Sequence, residues 1–94
     1  MAGDAPSVEV RPNPFAGRTE IALRVEQDSR VDVRIVDASG RLVRSIHDGT
    51  VEPGMHLLAW DGRDDAGRRV RSGAYFCEAR SGTGVLRRKI VLVR

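Results

Sequence analysis

The sequence predicts an all-β domain, an antiparallel sandwich of seven strands. Short alternations of apolar and polar residues recur along the chain, as a sheet with one buried and one wet face requires. Turn signals separate these segments at sandwich spacing. No window of about 12 residues keeps the i, i+3, i+4, i+7 apolar stripe of an amphipathic helix. Ninety-four residues fit one such domain and leave no room for a second core.

The first strand runs from Ser7 to Val10. Arg11-Pro12-Asn13-Pro14 closes it, because two prolines flanking an asparagine do not fit inside a paired strand and make a bend at a sheet edge. Residues 1–6 are expected to be a disordered lead or a cloning remnant, and residues 7–94 the folded module. The second strand, Thr19 to Val25, puts Ile21, Leu23 and Val25 on one face. The third, Arg30 to Val36, buries Val31, Val33 and Ile35 and exposes Asp32 and Arg34. Asp37 to Arg41 reads as a hairpin turn in which Gly40 supplies a positive φ. The fourth strand spans Leu42 to Ile46, and Asp48-Gly49 with Pro53-Gly54 predicts the next reversal. In the fifth, Met55 to Trp60, the residues His56, Leu58 and Trp60 share a face. The polar stretch Asp61 to Ser72 leads to the sixth strand, Ala74 to Arg80. Ser81-Gly82-Thr83-Gly84 then turns into the seventh, Leu86 to Val93. The expected core is Ile21, Leu23, Val33, Ile35, Leu58, Trp60, Tyr75, Cys77 and Ile90, with Trp60 as the large aromatic that fills the centre.

Composition excludes several classes. Hydrophobic residues at 40 % and charged residues at 31 % argue against global disorder. The longest apolar run, Ile90 to Val93, falls far short of the roughly 20 residues of a membrane helix. Met1 to Pro6 has neither the basic residue nor the apolar stretch of a signal peptide, so the chain is expected to be cytosolic or a piece of a longer exported protein. The formal net charge is +3, and every basic residue except Lys89 is arginine. These charges alternate with Asp and Glu, as on solvated strand faces, and the clusters at Arg68, Arg69, Arg71 and at Arg87, Arg88, Lys89 have no adjacent aromatics. No nucleic-acid partner is expected on those criteria. Cys77 alone makes neither a disulfide nor a zinc site, and reads as a small buried hydrophobe.

Asp61, Asp64 and Asp65 invite a calcium reading. A calcium loop would want a carboxylate or amide at Arg63, an acid at Ser72 and a glycine at Ala66, and none is there. Asp61 is instead expected to accept hydrogen bonds from loop amides, and Asp65-Ala66-Gly67 to make a turn. Gly82-Thr83-Gly84 lacks the following helix that a phosphate loop uses, so it reads as a hairpin tip. Phe76 without an aromatic companion is a thin platform for a sugar. No nucleophile–base pair, metal cluster or paired acids can be assembled, so no catalysis and no cofactor are expected.

Four stretches taken together carry a resemblance: Pro12-Asn13-Pro14-Phe15; Asp37 to Arg44; Trp60-Asp61-Gly62 with Asp64, running to Gly73-Ala74-Tyr75-Phe76; and Arg88 to Arg94. In this order and spacing they resemble the C-terminal immunoglobulin-like modules of bacterial exported proteins. They are similar to the Ig-like domain of the flagellar hook-capping protein and to the type A C-terminal sorting domains of type IX secretion. Tyr75, two residues before Cys77, also matches the tyrosine corner of Ig sandwiches. The resemblance implies a non-catalytic C-terminal module that targets, anchors or assembles a larger exported protein at the cell surface, with secretion or surface-assembly proteins, or other domains of the parent chain, as partners. It implies that the terminal strand is the part recognised, here Arg87, Arg88, Lys89, Ile90, Val91 and Arg94. As an edge strand it would offer unpaired backbone groups to a partner, with the flanking cations alternatively serving only to keep that edge soluble. The alternative function is a β-sandwich module that binds a glycan or calcium, appended to a secreted enzyme or adhesin.

Overall fold

The computed structural model describes residues 7–82 and 84–94, so the expectation for residues 1–6 lies outside the described residues. Seven antiparallel strands form two sheets: β1 (Ser7–Arg11), β2 (Thr19–Val25), β3 (Ser29–Asp37), β4 (Leu42–Val51), β5 (Gly54–Trp60), β6 (Gly73–Ser81) and β7 (Gly84–Leu92). One sheet has the order β1-β2-β5 and the other β4-β3-β6-β7. The chain changes sheet after β2, after β4 and after β5. These crossings make an Ig-like sandwich of what would otherwise be two hairpin meanders. Alternate residues point inward along the strands, interrupted in β4 by two register shifts, and β2 with the pattern Thr19, Ile21, Leu23, Val25 buried shows it most cleanly.

The expected core is present, with Ile21, Leu23, Val33, Ile35, Trp60, Tyr75, Cys77 and Ile90 buried and Leu58 half-buried against them. Trp60 does not fill the centre alone, however. Phe15 lies with its ring centroid 5.4 Å from Trp60, and Tyr75 sits edge-on at 5.2 Å on the other side. This row of three aromatics spans the space between the sheets, one pair tilted and the other edge-on, the latter a geometry that ring quadrupoles favour. Phe15 gave no periodic signal because it lies outside any strand, behind Pro14.

One turn expectation is corrected. Asp48-Gly49 is no reversal: β4 runs on to Val51, with Asp48 opposite Asp32 and Gly49 opposite Val31. Local turn preference loses here to the ladder that β3 offers, reinforced by the 2.7 Å ion pair from Arg30 to Asp48. Two register shifts in β4 absorb the extra residues. Only Glu52-Pro53 separates β4 from β5. At the Asp37 turn the expectation holds. Gly40 has φ 88, and Asp37 Oδ1 accepts from the Ser39 amide, the Ser39 hydroxyl and the Arg41 amide. These bonds hold the Asp37 carboxyl below the usual carboxylate range, with the Ser39 hydroxyl the largest cause.

Candidate functional site

The terminal strand β7 is an edge of the four-stranded sheet, and its period of two divides the predicted surface residues. Ile90 is fully buried in the core, out of reach of a partner in this fold. Arg88 stands opposite Cys77, on the inward-facing row, and its Nε donates to Val8 O at 3.1 Å, stitching β7 to β1 of the other sheet. Arg87, Lys89 and Val91 share the outer face. There Arg87 donates two bonds to Glu78 Oε2, at 2.6 and 3.2 Å, and lies 5.2 Å from the centroid of the Phe76 ring. Glu78, on the outer face, is nevertheless only 7 % exposed because Arg87 covers it. Lys89 is exposed and has no ion-pair partner among the described residues.

The open edge expected of β7 is largely closed at its C-terminal half. Asn13 Nδ2 donates to Lys89 O at 2.8 Å and Asn13 Oδ1 accepts from Val91 N at 2.9 Å. Phe15 N then donates to Val91 O, and Val93 N to Phe15 O. The bend Pro12 to Phe15 thus behaves as a short extra strand laid along β7, bridging Phe15 to Leu92 in parallel. Thr19 Oγ1 donates to Pro12 O at 2.7 Å and ties the bend to β2. By the alternation of the ladder, the outward backbone groups that stay open are those of Val85 and Arg87 and the Lys89 N–H. The correction follows from a long-range event: residues 13 and 15 supply the missing partners from more than 70 positions upstream.

Arg94 is likewise engaged. Its backbone N donates to Ser72 Oγ, its Nε to Val70 O at 2.8 Å and its Nη2 to Gly62 O at 2.7 Å. Gly62 has φ +76, a backbone conformation that favours glycine, and a Cβ there would lie 2.7 Å from Arg94 Nη2 and displace that guanidinium tip. The Trp60 to Ser72 loop is otherwise self-tied. Trp60 Nε1 donates to Arg63 O, and Asp61 Oδ1 accepts from Arg63 N. Asp64 Oδ1 accepts from the amides of Ala66 and Arg68, which lowers its pKa, the Arg68 amide most of all. Asp65 turns the other way and covers the β4 edge, its N donating to Val43 O and its Oδ1 accepting from Ser45 N. The three aspartates therefore serve as acceptors for backbone amides, as expected for Asp61. Tyr75 completes the tyrosine corner by donating its hydroxyl to Arg71 O at 2.7 Å, directly before Gly73 opens β6. Burial pushes the Cys77 thiol up to about 12, which makes it a poor nucleophile.

A family model for the FlgD Ig-like domain matches residues 7–84, from β1 to the first residue of β7. The chain belongs to the FlgD Ig-like domain family. The basal-body rod modification protein FlgD of Salmonella typhimurium is 33 % identical over 58 residues, which are 61 % of this chain. The match takes in only 25 % of that protein, so the chain corresponds to about a quarter of the curated relatives' length. Among solved structures, dimeric latent PorU of Porphyromonas gingivalis superposes over 99 % of this chain and 10 % of its own, with TM-score 0.74 and 26 % identity. PorZ, a surface component of the type IX secretion system of the same organism, superposes over 94 % of this chain and 12 % of its own, with TM-score 0.64 and 23 % identity, a likeness of fold. FlgD of Xanthomonas campestris, described in connection with hook capping in flagellar assembly, covers 93 % of this chain and 63 % of its own, with TM-score 0.61 and 25 % identity. The fold and the family expected from the four motif stretches are thus both present. No helix among the described residues is long and apolar enough to cross a membrane.

Proposed function

We propose that this domain is a non-catalytic module through which a larger exported bacterial protein is targeted, anchored or assembled at the cell surface. The observation that carries the reading is the match to the FlgD Ig-like domain across six strands and the start of the seventh. The similarity to an assembly protein of the flagellum and the shared fold of a type IX surface component both support it. The chemistry of the fold agrees with it, since the thiol is buried and the aspartates are committed to loop amides. The partner surface is the outer side of β7, from Val85 through Lys89 and Val91. There the open backbone groups of Val85 and Arg87 adjoin the free Lys89 ammonium.

The test is a graft. This chain replaces the corresponding segment of Salmonella FlgD, and it is fused in parallel behind an exported reporter in Porphyromonas gingivalis. Motility or surface delivery by the wild-type graft supports the proposal. The variant Lys89→Gln, chosen because the Lys89 side chain has no ion-pair or hydrogen-bond partner among the described residues and the substitution keeps the backbone bond to Asn13, is expected to reduce that function while leaving the melting temperature unchanged. Full function in the variant would remove β7 as the recognised surface. Failure of the wild-type graft in both hosts, with the domain folded, would overturn the assembly role itself.

A further inference from the structure

We infer that the cleft between the Asp37 turn and the start of β6 is a binding site for an extended acidic peptide. The cleft has a volume of about 560 Å³ and is lined by Asp37, Ser39, Arg41, Arg71, Ser72 and Tyr75, among others. It is a ligand-sized concavity, of the dimensions that small-molecule and peptide sites have.

Two of its residues are arginines whose guanidinium groups make no hydrogen bond or close ion pair, although the Arg41 charge acts on the Asp37 carboxylate. Nine ion pairs tie up other cations of the chain, but the guanidinium groups of Arg41 and Arg71 have no ion-pair or hydrogen-bond partner among the described residues. Their backbones, in contrast, are fixed. The Arg41 amide donates to Asp37 Oδ1 and its carbonyl accepts from the Asp37 amide. The Arg71 carbonyl accepts from the Tyr75 hydroxyl, at the tyrosine corner. Two cationic forks are thus presented on rigid supports across one concavity. Arginine's planar fork recognises an oxyanion bidentately in such an arrangement.

Asp37 decides the class of ligand. Its Oδ1 is saturated by three donors, while its Oδ2 is left without one. The depressed pKa keeps this carboxylate charged wherever the protein is folded at neutral pH. An oxyanion alone could meet the two arginines but brings no backbone N–H to Asp37 Oδ2. A peptide brings carboxylates for Arg41 and Arg71 and a backbone N–H for Asp37 Oδ2 at the same time. A sugar is the weaker fit, because the only aromatic at the cleft, Tyr75, is 7 % exposed and offers no ring face for stacking. The inference stands apart from the reading of β7, since it concerns other residues and is measured on the 94-residue chain alone.

The experiment is a fluorescence anisotropy titration at low salt. The probe is a fluorescein-labelled pentapeptide of glutamate and aspartate, blocked at both termini. Its glutamine–asparagine counterpart, inorganic phosphate and a uronic-acid tetrasaccharide serve as competitors. The acidic peptide is expected to bind, and its neutral counterpart to compete poorly. Arg41→Gln and Arg71→Gln should each weaken binding about tenfold, the loss expected for one charge-assisted contact. Arg18→Gln, an exposed arginine outside the cleft, should leave it unchanged. Side-chain Nε–H signals of the unsubstituted chain locate the site without any variant, and those of Arg41 and Arg71 should shift on titration. Stronger competition by phosphate or the tetrasaccharide, an equal loss in Arg18→Gln, or unshifted Arg41 and Arg71 signals would each overturn the inference.

Discussion

Asn13→Ala is the sharpest probe of how the end of the chain is held. The side chain makes two hydrogen bonds to β7, at 2.8 Å to Lys89 O and 2.9 Å from Val91 N. Both are neutral and exposed, so each contributes about 0.5–1.5 kcal/mol and the variant should lose about 1–3 kcal/mol. For a domain of this size that is a sizeable part of a total on the order of 5–15 kcal/mol. The local effect should exceed the global one. The Val91 amide faces away from β6, and the Asn13 carboxamide is its acceptor, so its protection against hydrogen exchange should collapse in Asn13→Ala. The Val93 amide, held by Phe15 O, should lose less. Asn13→Asp separates the two bonds, because a carboxylate still accepts from Val91 N but has nothing to donate to Lys89 O. Native-state exchange by NMR, with urea unfolding for the total, reads both quantities. Unchanged protection of Val91 in Asn13→Ala would refute the view that this bend acts as an added strand.

Three further outcomes are expected. Trp60→Ala should cost about 3–5 kcal/mol, since it empties the middle of the Phe15–Trp60–Tyr75 row; an unaltered denaturation midpoint would contradict that packing. Cys77, buried and pushed up to about 12, should react with an aromatic disulfide at pH 8 only at the rate at which the domain opens, and fast labelling without denaturant would count against it. Asp37 and Asp64 have folded pKa values below their unfolded ones, so their contribution is present above about pH 4 and lost as the pH falls through the folded values. The melting temperature should therefore drop on acidification below about pH 4, and the gap between wild type and Asp37→Asn should narrow there, which calorimetry across pH 2–7 would check.

Strand existence, facing and sheet class were legible in the sequence because they depend on local alternation. A residue two positions from Ile21 meets the same surface as Ile21 whatever the rest of the chain does. The glycine turn at Gly40 and the tyrosine corner at Tyr75 are legible for the same reason, since their partners lie within four residues. Tertiary structure decided what depends on distant partners. It drew Asp48-Gly49 into β4, because β3 supplies ladder bonds that outweigh a dipeptide's turn preference. It placed Phe15 in the core and Asn13 along β7, contacts spanning more than 70 residues that no periodicity encodes. It also turned Arg94 from a free terminal cation into a latch on Gly62 and Val70. The same step left Arg41 and Arg71 facing one cleft without partners. A one-dimensional pattern records which side of a strand a residue occupies, and only the closing of the two sheets on each other determines which groups find a partner there.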